Sequence, residues 1–74
     1  MEEKVLEICM SVDDSIDYSS TALIDDDLLD SDTLDEIISE LSDEFGINIP
    51  FDEIIPENFN SIAAITELIE KYMW

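Results

Sequence analysis

The sequence predicts an all-α protein, a small helical bundle with three main helices and one short helix. Three observations predict it. Apolar residues fall on one face at helical spacing in three separate stretches. Residues that start and stop helices bracket the second stretch. The chain is also 46% apolar, and these residues are well patterned, so its high acidity does not imply disorder. At 74 residues it is a single domain, 1–74, with a small core and marginal stability.

The first helix is expected from Glu2 to about Val12, where Val5, Ile8, Cys9 and Val12 share one face. Glu2 and Glu3 suit its positive N-terminal end. The stretch from Asp13 to Asp30 has no sustained period and is rich in Asp and Ser, so it reads as a long loop. Loops of that length in small domains are often functional. Leu23, Ile24, Leu28 and Leu29 are expected to pin it to the helices. The second helix follows, with Leu34, Ile37, Ile38, Leu41 and Phe45 as its apolar stripe. Asp30 or Ser31 can cap its start, and Gly46 ends it where a left-handed residue is wanted. Ile47-Asn48-Ile49-Pro50 reads as an extended connector with Asn48 outward. Phe51 to Ile55 is expected to form one helical turn, ended by Pro56. Asn60 or Ser61 caps a last helix from Ile62 to about Tyr72. Its buried stripe is Ile62, Ile65, Leu68, Ile69 and Tyr72, with Ala63 and Ala64 allowing close packing.

Charge is the dominant compositional fact. Twenty-one Asp and Glu face two basic residues, Lys4 and Lys71, giving a formal net charge of −19. No positive charge lies between those two lysines. Such a surface repels nucleic acid and anionic lipid, so neither is an expected partner. It steers basic protein surfaces toward itself, and its self-repulsion opposes the compact state. Cys9 is the only cysteine, so no disulfide within the chain is available, and a reducing compartment is expected. Met1-Glu2-Glu3 is acidic where a secretory leader is basic, and no apolar run approaches a membrane span. The expectation is a soluble, cytoplasmic monomer without membrane insertion.

Catalysis is not expected. There is no His, and no Cys/His, Ser/His or Lys-based nucleophile arrangement. Asp25, Asp27 and Glu36 sit at positions 1, 3 and 12 of a calcium-loop pattern. Leu29, Asp30 and Asp32 then fail the positions between them, so no dedicated metal site follows. Cys9 reads as a small buried hydrophobe. Trp74 reads as a loose packing residue. Ser31, by itself, reads as a helix cap.

The neighbourhood of Ser31 carries more. Leu23-Ile24-Asp25-Asp26-Asp27-Leu28-Leu29-Asp30-Ser31 resembles the attachment region of the acyl/peptidyl carrier protein superfamily. More narrowly it resembles D-alanyl carrier proteins and similar stand-alone carriers. Fatty-acid carriers more often have a Gly-Ala pair before Asp-Ser, which is absent here. Glu44-Phe45-Gly46-Ile47-Asn48-Ile49-Pro50 is similar to the family's end of helix 2, and Glu57-Asn58-Phe59-Asn60-Ser61-Ile62 to its lead into the last helix. The likeness spans nearly the whole chain in register.

The resemblance implies an acyl-carrier-like bundle. In it Ser31 receives 4′-phosphopantetheine from coenzyme A, with Asp30 beside the attachment point. The thiol of that arm holds an acyl or aminoacyl cargo, such as D-alanyl, as a thioester. The implied partners are a phosphopantetheinyl transferase, an acyl- or aminoacyl-activating ligase, and a downstream acyltransferase or synthase. They would dock on Leu29, Asp32, Asp35, Glu36 and Glu40. Ten of the acidic residues lie between Asp25 and Glu44, which suits fast, reversible docking. Two positions depart from the family. Asp32 stands where a bulky apolar residue usually follows the serine and aids recognition, and Asp27 stands where Gly is common. The alternative is a carrier-like domain that is never modified and binds a basic partner through the second helix and the Leu28/Leu29 region.

Overall fold

The apolar stripes meet in one core. The computed structural model describes residues 1–73, and Trp74, read as a packing residue, lies outside them. Helix α1 spans Glu2–Val12, α2 Ser31–Phe45, α3 Pro56–Phe59 and α4 Ile62–Tyr72, with a 3-10 turn at Phe51–Glu53. No strand occurs among the described residues. The fold is therefore an all-α bundle of three main helices and a short one.

Val5 and Cys9 of α1, Ile37 and Leu41 of α2, and Ile62, Ile65, Leu68 and Ile69 of α4 form the buried centre. Ile8, Val12, Leu34, Ile38, Phe45 and Tyr72 pack around it, half-buried. Each fully buried Leu or Ile contributes about 1.5–3 kcal/mol relative to exposure, so a bundle of this size depends on nearly all of them. Cys9 has no exposed surface, and burial pushes its thiol up to about 11. It is an inert core residue.

Helix boundaries have local causes. Gly46 adopts φ 63° and ψ 37°, and the Gly46 and Ile47 N–H groups both donate to Ser42 O. No side chain would clash there, so the need for glycine is one of backbone conformation alone. At α4, Ser61 is the cap, its Oγ accepting from the Ala64 N–H at 3.0 Å. Asn60 is thereby released for another role.

The segment before α4 differs from expectation. The single turn expected over Phe51 to Ile55, ended by Pro56, is a 3-10 turn over Phe51–Glu53, and Pro56 begins α3 instead of ending a helix. Proline has no N–H to lose at a first helical position, and its fixed φ suits a start. Ile55, directly before it, is extended at φ −127° as a pre-proline residue prefers. The new turn places Phe59 in the core with no exposed surface.

The 3-10 turn is fastened to the end of α4 by Glu53. Its Oε2 accepts from Lys71 Nζ at 2.5 Å and from the Tyr72 hydroxyl at 2.6 Å. The Glu53 carbonyl accepts from Asn58 Nδ2 at 2.8 Å. The other basic residue, Lys4, pairs with Glu44 at 2.6 Å and ties α1 to α2. That pair is half-exposed on both sides and contributes little.

Lys71, then Tyr72, hold the Glu53 carboxyl below its ordinary 4.5. A depressed carboxylate contributes stability that is complete above its unfolded value and is lost as pH falls through its folded value. Glu53→Gln is expected to lower the Tm by a few degrees at neutral pH. The gap from the parent chain should close below the ordinary 4.5. A gap that stays constant across an acid titration of Tm would show that the charge of Glu53 does not fasten the turn.

Candidate functional site

Helix α2 is the longest helix, and its N-terminus is the end of the long loop. Asp30 is the cap residue, extended at φ −87° and ψ 172°, and its Oδ1 accepts from the Thr33 N–H at 2.8 Å. This settles the choice between Asp30 and Ser31. Ser31 is the first helical residue, exposed, and its hydroxyl is not needed as the cap. Hydrogen bonds from Thr33, with a lesser one from the Asp32 N–H, hold the Asp30 carboxyl below its ordinary value. Asp30 is therefore ionised at neutral pH and partly occupies the positive end of the helix.

The loop reaches this point under tight control. Tyr18 is buried, with its hydroxyl 2.9 Å from Cys9 O and 2.6 Å from Asp13 O, which fastens the loop to the end of α1. Burial, then nearby Cys9 and carboxylates, pushes its phenol up to about 12. Leu23 is fully buried, and its N–H donates to Asn60 O at 2.8 Å. Asn60 Oδ1 accepts from the N–H groups of Ile24 at 2.9 Å and Asp25 at 3.0 Å, and its Nδ2 donates to Asp25 Oδ2 at 3.2 Å. One residue thus joins the loop to the α3–α4 junction through both its backbone and its side chain.

The turn then closes on Leu23. The N–H groups of Leu28 and Leu29 both donate to Leu23 O, at 2.9 and 3.0 Å. Asp27 makes this reversal with φ 57°, the only left-handed non-glycine residue among those described. The conformation is unfavourable for residues with a Cβ, though Asp tolerates it better than most. It is the position at which the resembled family commonly has Gly. The turn also sorts the leucine pair. Leu29 is 5% exposed and belongs to the core, so its expected part in partner docking is corrected: its side chain is not available. Leu28, expected to pin the loop, is 38% exposed and faces outward instead.

The remaining expected docking residues do come together. Asp32, Asp35, Glu36 and Glu40 are all exposed and follow Ser31 along α2 at spacings of three and four. Among the described residues no lysine is paired with any of them, since both are engaged elsewhere. Among the described residues, no group of three or more His, Cys, Asp or Glu is arranged to hold a metal ion. No helix among them is long and apolar enough to cross a membrane.

Sequence reasoning missed three residues that build the site. Asn60 had a detectable signal, because Asn60 and Ser61 compete for one cap and only one can serve. Tyr18 and Phe59 are single aromatics among Asp, Ser and Asn, with no periodicity to mark them.

Family models, curated proteins and solved structures give no match to this chain.

The left-handed Asp27 generates a prediction. Asp27→Gly removes both backbone strain and one charge from the Asp25–Asp27 run, and is expected to raise stability by up to about 1 kcal/mol. Asp27→Val is expected to lower it by at least about 1 kcal/mol, because a β-branched residue resists positive φ. Urea unfolding of the two variants checks this, and equal midpoints would contradict the strained turn.

Proposed function

We propose that this chain is a carrier protein, modified with 4′-phosphopantetheine on Ser31, that holds an acyl or aminoacyl group and presents it to partner enzymes. The observation that carries the reading is an exposed serine hydroxyl at the first position of the longest helix, with the preceding turn fixed by hydrogen bonds. A tethered group needs such a point of exit, accessible to a transferase and held in one orientation.

The residues present fit the arm in their geometry. Ser31 supplies the hydroxyl, and Asp30, already capping the helix through Thr33, keeps the first turn formed. When bound, the arm supplies a thiol that carries the cargo as a thioester. The electrostatics are mixed. An added phosphate gains from the helix N-terminus but meets Asp30 and Asp32 directly beside it. The acidic stripe from Asp32 to Glu40 supplies long-range attraction to basic enzyme surfaces and suits brief, repeated encounters. An aminoacyl cargo of the D-alanyl type is favoured over fatty acids by the Leu28-Leu29-Asp30-Ser31 segment, as the family resemblance implies. The chain itself performs no catalysis in this reading. Its partners are the transferase, the activating ligase and the downstream acyltransferase or synthase, in a cytoplasmic setting.

One observation favours a second reading. Asp32 is exposed directly after Ser31, where an apolar contact for the transferase is expected. An unmodified acidic domain that binds a basic protein would tolerate Asp32 without penalty.

Intact-protein mass spectrometry separates the two. After incubation with coenzyme A and a broad-specificity phosphopantetheinyl transferase, the chain is expected to gain the mass of one phosphopantetheinyl group. Ser31→Ala is expected to gain none. Asp32→Leu is expected to react faster. No gain in either the parent or Asp32→Leu would overturn the carrier reading.

A further inference from the structure

A second surface lies away from α2, along the seam between α1 and α4. It has two halves that share Glu2 and Glu3. The first is an open groove of about 460 Å³ floored by Leu6, Met10, Ile16 and Ile62, with Asp17 at its rim. That volume is within the range of real binding clefts. Met10 is 47% exposed, an unbranched thioether side chain able to adapt to an occupant. The second is an open hollow of about 500 Å³ that also borders Glu2 and Glu3, lined further by Met1, Ala63, Thr66, Glu67 and Glu70. Thr66 turns its hydroxyl inward to Ile62 O at 2.8 Å, which leaves the carboxylates of Glu2, Glu3, Glu67 and Glu70 as the polar side chains facing that half.

The surface is thus apolar at one end and acidic at the other, and no lysine is engaged with its carboxylates: Lys4 is paired with Glu44 and Lys71 with Glu53. We infer that the α1–α4 seam is a docking site for a basic amphipathic helix of a partner protein. The partner's apolar side chains enter the groove beside Met10, and its Lys or Arg residues lie over Glu2, Glu3, Glu67 and Glu70. Charge complementarity selects a cationic occupant, and the groove selects an amphipathic one over a merely basic one. Nothing in this site involves Ser31, so it stands or falls apart from the carrier reading.

The test uses the unmodified chain and a synthetic amphipathic Leu/Lys peptide as probe, followed by amide chemical shifts on titration. The expected shifts centre on α1, the Ile16–Ser19 segment and α4. Met10→Ser, at an exposed position that the fold does not need, is expected to weaken binding roughly fivefold, since it removes apolar contact and no charge. Glu67→Gln with Glu70→Gln is expected to weaken it by several-fold. Asp52→Asn with Glu57→Gln, an equal change of charge at exposed positions that line neither half of the seam, is expected to leave affinity unchanged. Shifts centred on α2, no effect of Met10→Ser, or equal effects of the two charge-matched pairs would each overturn the proposal.

Discussion

The site depends on Asn60. The eighteen residues between α1 and α2 contain no helix of their own, and a free loop of that length would leave the start of α2 loosely placed. Asn60 removes that freedom. It accepts from three successive N–H groups, those of Leu23, Ile24 and Asp25, and donates back to the Asp25 carboxylate. Leu23 then enters the core, its carbonyl gathers the N–H groups of Leu28 and Leu29, and Asp30 is delivered to cap α2. The exposed position of Ser31 is the last consequence of this chain of contacts. The left-handed Asp27 is the conformational cost of the reversal and persists because the contacts on both sides of it over-determine the turn.

Charge sets the second constraint. The two lysines stand near opposite ends of the sequence, and each bridges two elements: Lys4 spans α1 and α2 through a weak, half-exposed pair, and Lys71 joins α4 to the 3-10 turn. The rest of the surface is left acidic. A small core must hold this surface together, which explains why loop residues such as Tyr18 and Leu23 are drawn into it beside the helical stripes. On α2 the proposed function and stability pull in opposite directions. The carboxylates that would attract a basic enzyme also repel one another along the helix.

The three long helices were legible in the sequence because their apolar residues recur at helical spacing, and their ends were marked by Gly46, Asp30 and Ser61. The turn at Phe51–Glu53 was legible but α3 was not, because Pro56 reads as a terminator and proline serves equally well as a beginner. Leu28 and Leu29 could not be told apart by sequence, since their opposite fates follow from the turn at Asp27. The clamp was hidden for a similar reason. Asn60 and Ser61 are both good caps, and only the packed structure shows that Ser61 caps α4 while Asn60 crosses to the loop. The expected acidic face of α2 survives intact because exposure of its carboxylates follows directly from the helix period.

Native-state hydrogen exchange in the parent chain and in Asn60→Ala tests the clamp most directly. The amides of Ile24 and Asp25 lose their acceptor in the variant, while those of Leu28 and Leu29 keep theirs on Leu23. If the Asn60 clamp controls the whole segment, all four amides lose protection together by about tenfold or more, while those of Ile65 and Ile69 in α4 stay protected. If only Ile24 and Asp25 exchange faster and Leu28 and Leu29 are unmoved, the turn before Ser31 holds itself. Asn60 would then not be what places the serine.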